Sequence, residues 1–271
     1  MKNKLSFLSI PYVIWMALFT VAPIVMVVVY AFTGDAGGFT MENFAEMGSY
    51  AKVFTRSFGL SAIATVICLL IGYPAAYFMA GKDFSKNKSL ALLILLPMWM
   101  NFLLRTYAWM SLLERNGLIN KFFAMFGMGP FNMINTNGAV ILGMVYNYLP
   151  FMILPLYSTM VKIDHSLIEA AQDLGGNLYN VLTKVLIPLS IPGITTGITM
   201  VFVPACSTFV ISKMLGGDSA FMIGDLIDMQ FLGNSYNPHL GSAMSLVLMV
   251  LVLLCMSVTN GFADDDSEGL L

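Results

Sequence analysis

The chain has 271 residues, of which 58% are apolar and only 10% are charged, and its formal net charge is −2 at pH 7. Together with a mean hydropathy of +0.80, this composition excludes an ordinary soluble domain. We expect an all-α polytopic membrane protein that forms a single transmembrane domain over residues 1–271.

Six apolar segments are long enough to cross a bilayer. A hydrocarbon core of about 30 Å requires about 20 apolar residues of α-helix. The predicted spans cover residues 7–32, 57–80, 89–113, 137–161, 185–212 and 240–262. The segments between them are too short to fold as separate soluble domains.

Lysines indicate which loops face the cytoplasm. They precede the first span and occupy the second and fourth connections, at Lys2, Lys4, Lys82, Lys86, Lys88, Lys162 and Lys184. By the positive-inside rule these segments are cytoplasmic, and so are both termini. The acidic tail at residues 264–268 does not change this assignment, because carboxylates contribute little to the rule.

The third predicted span carries Asn101, Arg105 and Trp109 at intervals of four residues, so they share one face of a continuous helix. Arg105 would lie near the outer third of the bilayer, where an arginine without a partner costs a few kcal/mol. Two interpretations stay open. The polar stripe lines a translocation path, or Arg105 snorkels to the outer interface.

The fourth span contains Tyr146, Asn147 and Tyr148 in succession. Aromatic rings can hold a desolvated ammonium group by cation–π attraction, so these residues are candidates for a cation path. The alternative is that the tyrosines serve helix packing and the membrane interface.

The loop after the fourth span predicts a short helix followed by a turn. Ser166 and Glu169 have the spacing of a capping box, which places the start of a helix at Ser166. Gly175 and Gly176 supply a left-handed turn that ends this helix. A second helix is expected from Leu178 to Lys184, before Pro188 begins the fifth span.

This helix-turn-helix is expected to lie on the cytoplasmic membrane surface. Apolar residues recur at the spacing of one helical face, at Leu167, Ala170, Ala171, Leu174 and Leu178. The two alanines are small enough to let another protein approach closely, which suits a docking element.

The fifth and sixth spans add two weaker signals. Gly193 and Gly197 form a GxxxG spacing that brings membrane helices together. Between the two spans, Asp225 and Asp228 share one face of a predicted outer helix. They either line an acidic vestibule that attracts a cation or simply solvate the surface of that helix.

The loop residues resemble the "EAA" loop of permease subunits of ATP-driven (ABC-type) importers. Glu169-Ala170-Ala171, Gly175 and Pro188 match its pattern at the right spacing, whereas Val185 and Ile187 are conservative departures. The resemblance implies a type I importer permease fold. It also implies that these matching residues couple the chain to a separate ATPase subunit. The alternative is an ordinary interfacial loop helix.

Across its whole length the chain resembles the spermidine/putrescine import permeases. This resemblance rests on Tyr73-Pro74, residues 101–109, Leu149-Pro150-Phe151, Glu169 to Gly175, and Leu215-Gly216-Gly217. It implies polyamine import across a bacterial inner membrane. The implied partners are a second homologous permease, two ATPase subunits and an extracytoplasmic binding protein. The chain itself is expected to contact the lipid bilayer and no nucleic acid.

The chain itself is not expected to be an enzyme. Its only Gly-Lys pair, Gly81-Lys82, is followed by Asp83, so it lacks the phosphate-binding loop that ATP requires. ATP and Mg²⁺ are therefore expected on the partner ATPase subunits, and no cofactor or metal on this chain. Other possibilities are an importer for iron, thiamine or a phosphonate, or a secondary carrier. A secondary carrier predicts an inverted repeat and buried midplane carboxylates, neither of which the sequence shows.

Overall fold

A computed structural model describes residues 10–34, 37–81, 93–233 and 235–268. Within these residues the chain is almost entirely helical, apart from an isolated antiparallel bridge between Thr33 and Phe39. The lysines at positions 2, 4, 82, 86 and 88, on which part of the predicted orientation depends, lie outside the described residues.

The α-helices of the described residues are, in chain order, α1 (Ile10–Met16), α2 (Ala22–Ala31), α3 (Glu42–Met47), α4 (Ala51–Ala80), α5 (Phe102–Leu113), α6 (Leu118–Met125), α7 (Asn137–Met160), α8 (His165–Asp173), α9 (Leu178–Val181), α10 (Ile187–Ser207), α11 (Ile223–Leu232) and α12 (Pro238–Glu268). Wider π-helical turns lie at Ala17–Val21, Leu182–Leu186 and Ser212–Gly216, and 3₁₀ turns at Gly48–Tyr50, Leu96–Trp99 and Gly217–Ala220.

Five helical stretches among the described residues are long and apolar enough to cross a bilayer. They are Pro11–Ala31, Glu42–Ala80, Asn137–Met160, Tyr179–Ser207 and Pro238–Thr259. These stretches correspond to the first, second, fourth, fifth and sixth predicted spans. The protein is therefore a multi-pass membrane protein built from α-helices.

The prediction of a continuous helix over the third span is wrong in its described part. The chain forms a 3₁₀ turn at Leu96–Trp99, becomes extended at Met100 and restarts as α5 at Phe102. Pro97 lies in the first turn of this 3₁₀ segment, and the new helix begins where the side chain of Asn101 caps it. Asn101 therefore does not share a helical face with Arg105 and Trp109.

The fifth span begins and ends earlier than predicted. Pro188 does not restart the chain, because the helical path runs without interruption from Tyr179 to Ser207. The π turn at Leu182–Leu186 directly precedes this proline. A widened turn accommodates a residue that cannot donate to the carbonyl four positions back. The same device recurs in the first span, where Ala17–Val21 precedes Pro23.

The described helices form two compact units. The first comprises Met1–Lys52 and Leu226–Val252. In it, the side-chain amide of Asn43 donates to the carbonyls of Ala31 and Thr33, each at 3.0 Å. Nδ1 of His239 donates to the carbonyl of Tyr30 at 3.0 Å, and the two rings stack with their centroids 5.2 Å apart.

The second unit comprises Val53–Asp225 and Leu253–Leu271. Its core is centred on α7, which packs along α10. A Cβ atom on Gly193 would lie 2.8 Å from Oγ1 of Thr159, and one on Gly197 would lie 2.7 Å from Sδ of Met152. These short approaches confirm that the GxxxG spacing brings two helices into close contact.

After α10 the chain folds back into the second unit instead of extending the fifth span to residue 212. Thr208 is extended, and the segment that follows buries Ile211 and Leu215 completely. Both side chains pack on Gly143 of α7, where an added Cβ would lie 2.5 Å from Cδ1 of Leu215. The sequence therefore stays apolar beyond residue 207 because these residues pack on α7. Apolar composition alone does not distinguish such a packed segment from a longer membrane-spanning helix.

Candidate functional site

Helix α8 contains Glu169, Ala170 and Ala171, three of the residues predicted to couple to an ATPase, and Asp164 determines where the helix begins. Oδ1 of Asp164 accepts a hydrogen bond from the backbone N–H of Ser166 at 3.0 Å. The prediction that Ser166 caps the helix is therefore wrong, because Ser166 already lies in its first turn. Asp164 and Ser166 are both good N-caps, so the sequence alone did not decide between them.

The end of α8 has the geometry predicted from the glycine pair. Gly175 has φ of +80°, in the left-handed region that glycine adopts without steric cost. The N–H of Gly175 donates to the carbonyl of Gln172 at 2.9 Å, and that of Gly176 to the carbonyl of Ala171 at 2.9 Å. This is the Schellman arrangement, which satisfies the last carbonyls of a helix.

Helix α8 is attached to the rest of the second unit by one side chain in particular. Ile168 is 8% exposed and packs with Val181 and Leu186 in a small apolar cluster. Tyr77, from the end of α4, also packs on this cluster. The cluster therefore joins α8 to the start of the fifth span and to the end of the second.

Ala171 is half-buried and also packs on this cluster, which separates it from the other apolar residues predicted to share its face. Leu167 and Ala170 are exposed, and Leu174 is 90% exposed. We call Leu167, Ala170 and Leu174 the exposed face of α8. Large apolar side chains in such a position indicate a surface that another protein or a membrane covers. Glu169 is also exposed, and Pro188 lies beyond the π turn in the first turn of α10.

The second group of predicted site residues comes together between α5 and α7. The guanidinium carbon of Arg105 lies 6.0 Å from the centre of the Tyr146 ring. Trp109, one turn further along α5, meets the same ring edge to face, with centroids 5.4 Å apart. A cation–π contact of this kind contributes about 0.5–2 kcal/mol, depending on how far it is desolvated. We call these three residues the aromatic site.

Arg105 is only 8% exposed, and its Nε and Nη1 have no hydrogen-bond partner among the described residues. This burial does not fit the interpretation in which Arg105 snorkels, because a snorkelling side chain carries its charge to the surface. Tyr146 is nine residues into α7, about 14 Å from the start of that helix at 1.5 Å per residue. Tyr146 remains 36% exposed, so the aromatic site is not sealed within this chain.

The other predicted path residues of α7 face the protein interior. Tyr148 donates to the carbonyl of Pro204 at 3.3 Å, which joins α7 to α10. Asn147 is 2% exposed, and its amide donates to the carbonyl of Gly143 at 2.9 Å. Asn101 caps α5, because its Oδ1 accepts from the N–H of Leu103 at 2.8 Å. These three side chains have local structural roles and do not extend the aromatic site.

Asp225 also differs from both of its predicted interpretations. It is 4% exposed, and Oδ2 accepts a hydrogen bond from the backbone N–H of Met222 at 2.8 Å. A carboxylate at the start of a helix satisfies a free N–H and interacts favourably with the helix dipole. Asp225 therefore stabilises the start of α11 and does not form an open acidic surface, while Asp228 is partly exposed on the same helix.

Known proteins of similar sequence cover almost the whole chain. A spermidine/putrescine transport system permease protein PotB of Haemophilus influenzae is 39% identical over 269 residues, which are 95% of this chain and 93% of that protein. The PotB protein of Escherichia coli is 35% identical over 254 residues, covering 90% and 92% of the two chains. No family profile matches the chain.

Solved structures share the fold at much lower identity. A bacterial ABC transporter that imports alginate matches with a TM-score of 0.76 and 16% identity, over 96% of this chain and 95% of that one. The MetNI methionine ABC transporter, in an inward-facing conformation, matches with a TM-score of 0.58 and 17% identity, over 82% and 98% of the two chains. These likenesses agree with the sequence relatives, and the chain belongs to the PotB family of spermidine/putrescine transport permeases.

Proposed function

We propose that this chain is a membrane subunit of an ATP-driven importer that moves spermidine and putrescine into the cytoplasm by alternating access. The observation that carries the proposal is 35–39% identity to PotB proteins over 90–95% of the chain. The chain would form part of the membrane path but would not hydrolyse ATP, which is the task of separate ATPase subunits.

The exposed face of α8 supports a site of attachment for the ATPase. Its three residues are apolar, and Ala170 is small enough to allow another protein to approach closely. The helix is anchored to both the second and the fifth span through the cluster around Ile168. A displacement of α8 by the ATPase would therefore be transmitted to the second and fifth spans through this cluster. Glu169, Gly175 and Pro188 belong to the same coupling segment.

The transporter is proposed to contain a second, homologous permease, two ATPase subunits and an extracytoplasmic binding protein. One related structure is an alginate transporter in complex with a periplasmic protein that holds an alginate pentasaccharide. We place the chain in a bacterial inner membrane with α8 and both termini on the cytoplasmic side. ATP and Mg²⁺ would bind to the ATPase subunits.

The aromatic site is proposed to lie on the cargo path. Polyamines carry protonated amines, and aromatic ring faces attract such groups when water is removed. Trp109 and Tyr146 provide these faces, and Tyr146 is partly exposed. Of the residues predicted for the path, Arg105, Trp109 and Tyr146 are the ones that the fold brings together.

The proposal is tested by uptake of labelled spermidine and putrescine into vesicles that contain the chain with its co-purified partners. We expect uptake that requires ATP inside and the binding protein outside. ATP hydrolysis without polyamine uptake would retain the importer and reject polyamines as cargo. In that case iron, thiamine and phosphonate would be tested next. Uptake driven by an ion gradient without any ATPase would contradict the importer itself.

A further inference from the structure

The guanidinium of Arg105 is a buried cation that lacks the hydrogen bonds such a group normally makes. Arginine carries five N–H donors in a fixed planar arrangement. Nε and Nη1 are both sealed from solvent and have no partner in the described part of the chain. Buried donors without partners are rare in folded proteins because they cost free energy. The unpartnered Nε and Nη1 of Arg105 therefore raise the free energy of the empty site.

Among the described residues, the guanidinium makes a cation–π contact with the ring of Tyr146. The distance of 6.0 Å from the guanidinium carbon to the ring centre is at the outer limit of a cation–π contact. Trp109 packs edge to face on the same ring and fixes its orientation. This is also the kind of surface that binds an alkylammonium group. The protein's own cation thus lies where a cargo cation would bind.

Two cations cannot share one ring face in a medium of low dielectric, because their repulsion is screened far less than in water. From these contacts we propose that Arg105 is a resident cation of the aromatic site. It occupies the face of Tyr146 in the empty transporter and gives way to an alkylammonium group of the cargo. This inference rests on the proposed function, since it assumes that the aromatic site lies on the cargo path.

In the empty transporter, the aromatic site would therefore be free to bind a ligand only in the fraction of molecules in which Arg105 has left the ring. A ligand that binds only the vacant form has its apparent affinity reduced by the vacant fraction. Removing the resident cation should therefore strengthen binding of an ammonium ligand. From the usual strength of a cation–π contact we expect an increase of about two- to thirtyfold.

The test is equilibrium binding of labelled spermidine to the purified permease–ATPase complex in detergent, without ATP or binding protein. We expect Arg105→Gln to bind spermidine about two- to thirtyfold more tightly than the wild type. Arg105→Lys should remain close to the wild type, because it keeps a cation. Arg115→Gln is the matched control, since it removes the same charge from an exposed position ten residues along the chain.

A second pair of variants separates occupation of the ring from simple charge repulsion. In a Tyr146→Leu background the ring is absent, so Arg105→Gln should no longer change the affinity. If the gain persists there, Arg105 acts only through its long-range charge and the proposal is wrong. Equal affinities of wild type and Arg105→Gln overturn it as well. Failure of ATP-dependent spermidine uptake, with the affinity difference intact, would reject the polyamine function but would still show that Arg105 competes with an ammonium group for the ring of Tyr146.

Discussion

The hydroxyl of Tyr73 lies 3.0 Å from Oγ of Ser190 and joins α4 to α10. Ser190 donates its only proton to the carbonyl of Leu186, at 2.6 Å. Tyr73 must therefore be the donor in the contact between the two hydroxyls. The pair lies one turn of α4 before Tyr77, which packs on the cluster that anchors α8. The second and fifth spans are thus tied together close to the proposed coupling segment.

This direction of donation predicts unequal effects of the two single substitutions. Tyr73→Phe removes a donor and leaves Ser190 bonded to Leu186, so it should cost about 1 kcal/mol. Ser190→Ala leaves the Tyr73 hydroxyl without its acceptor and should cost about 1–3 kcal/mol. The measurement is the thermal unfolding midpoint of the purified complex. The double variant should lie close to Tyr73→Phe, and a larger loss in Tyr73→Phe than in Ser190→Ala would contradict the assignment.

Gly175 offers a test of the turn that ends α8. An added Cβ meets no atom within 4 Å, but the backbone has φ of +80°. The effect of a substitution therefore comes from backbone strain and not from a clash. Gly175→Val should distort the turn and abolish transport while ATP hydrolysis continues, as measured by uptake and phosphate release from the same vesicles.

Gly175→Asn is the matched control, because asparagine tolerates the left-handed region better than other residues with a side chain. We expect it to retain most of the uptake. Both variants should insert into the membrane at wild-type levels. Wild-type transport by Gly175→Val would remove the turn from the coupling mechanism.

Leu174 tests whether the exposed face of α8 binds the ATPase. Its side chain is 90% exposed, so Leu174→Asp removes almost no packing within this chain. We expect the variant to lose co-purifying ATPase subunits while its own unfolding midpoint stays unchanged. Leu232→Asp is the control, because Leu232 is also an exposed leucine, at 84%, on a helix outside the coupling segment. Retention of the ATPase by Leu174→Asp would place the docking surface elsewhere.

How far the sequence predicts this structure depends on whether a feature is local. The turn at Gly175 and Gly176 was predicted correctly, because a glycine pair after an apolar helical repeat has few other uses. The N-cap of α8 was predicted incorrectly. Asp164 and Ser166 are both suitable N-cap residues, and the sequence alone does not show which of them caps the helix. The fifth span was predicted to begin later in the chain than it does. A π turn before Pro188 allows the helix to continue through the proline, and no pattern in the sequence marks such a turn.

The aromatic site shows the same limit at longer range. Arg105 and Trp109 share a helical face by their spacing, which the sequence alone predicts. Their contact with Tyr146 depends on how α5 packs on α7, and α5 itself exists as a separate helix because of the break near Pro97. The sequence therefore named the three residues but did not indicate that Arg105 would occupy the ring face predicted for a ligand.

The two glycines of the GxxxG spacing should differ in their tolerance of a methyl group. Replacement by alanine gains about 1 kcal/mol of helix propensity at either position, so the neighbours decide the net effect. A Cβ on Gly197 would meet the sulfur of Met152, the flexible part of a long side chain. A Cβ on Gly193 would meet Oγ1 and Cβ of Thr159 at 2.8 and 3.0 Å and the carbonyl of Pro155 at 3.1 Å.

Thr159 is β-branched and the carbonyl belongs to the backbone of α7, so neither moves without shifting the helix. Overpacking of this kind costs about 1–3 kcal/mol. Gly193→Ala should therefore lower the unfolding midpoint of the complex, whereas Gly197→Ala should leave it unchanged or raise it slightly. Equal midpoints would mean that α7 and α10 separate readily at Thr159. In that case the second unit would be looser around Gly193 than its contacts indicate.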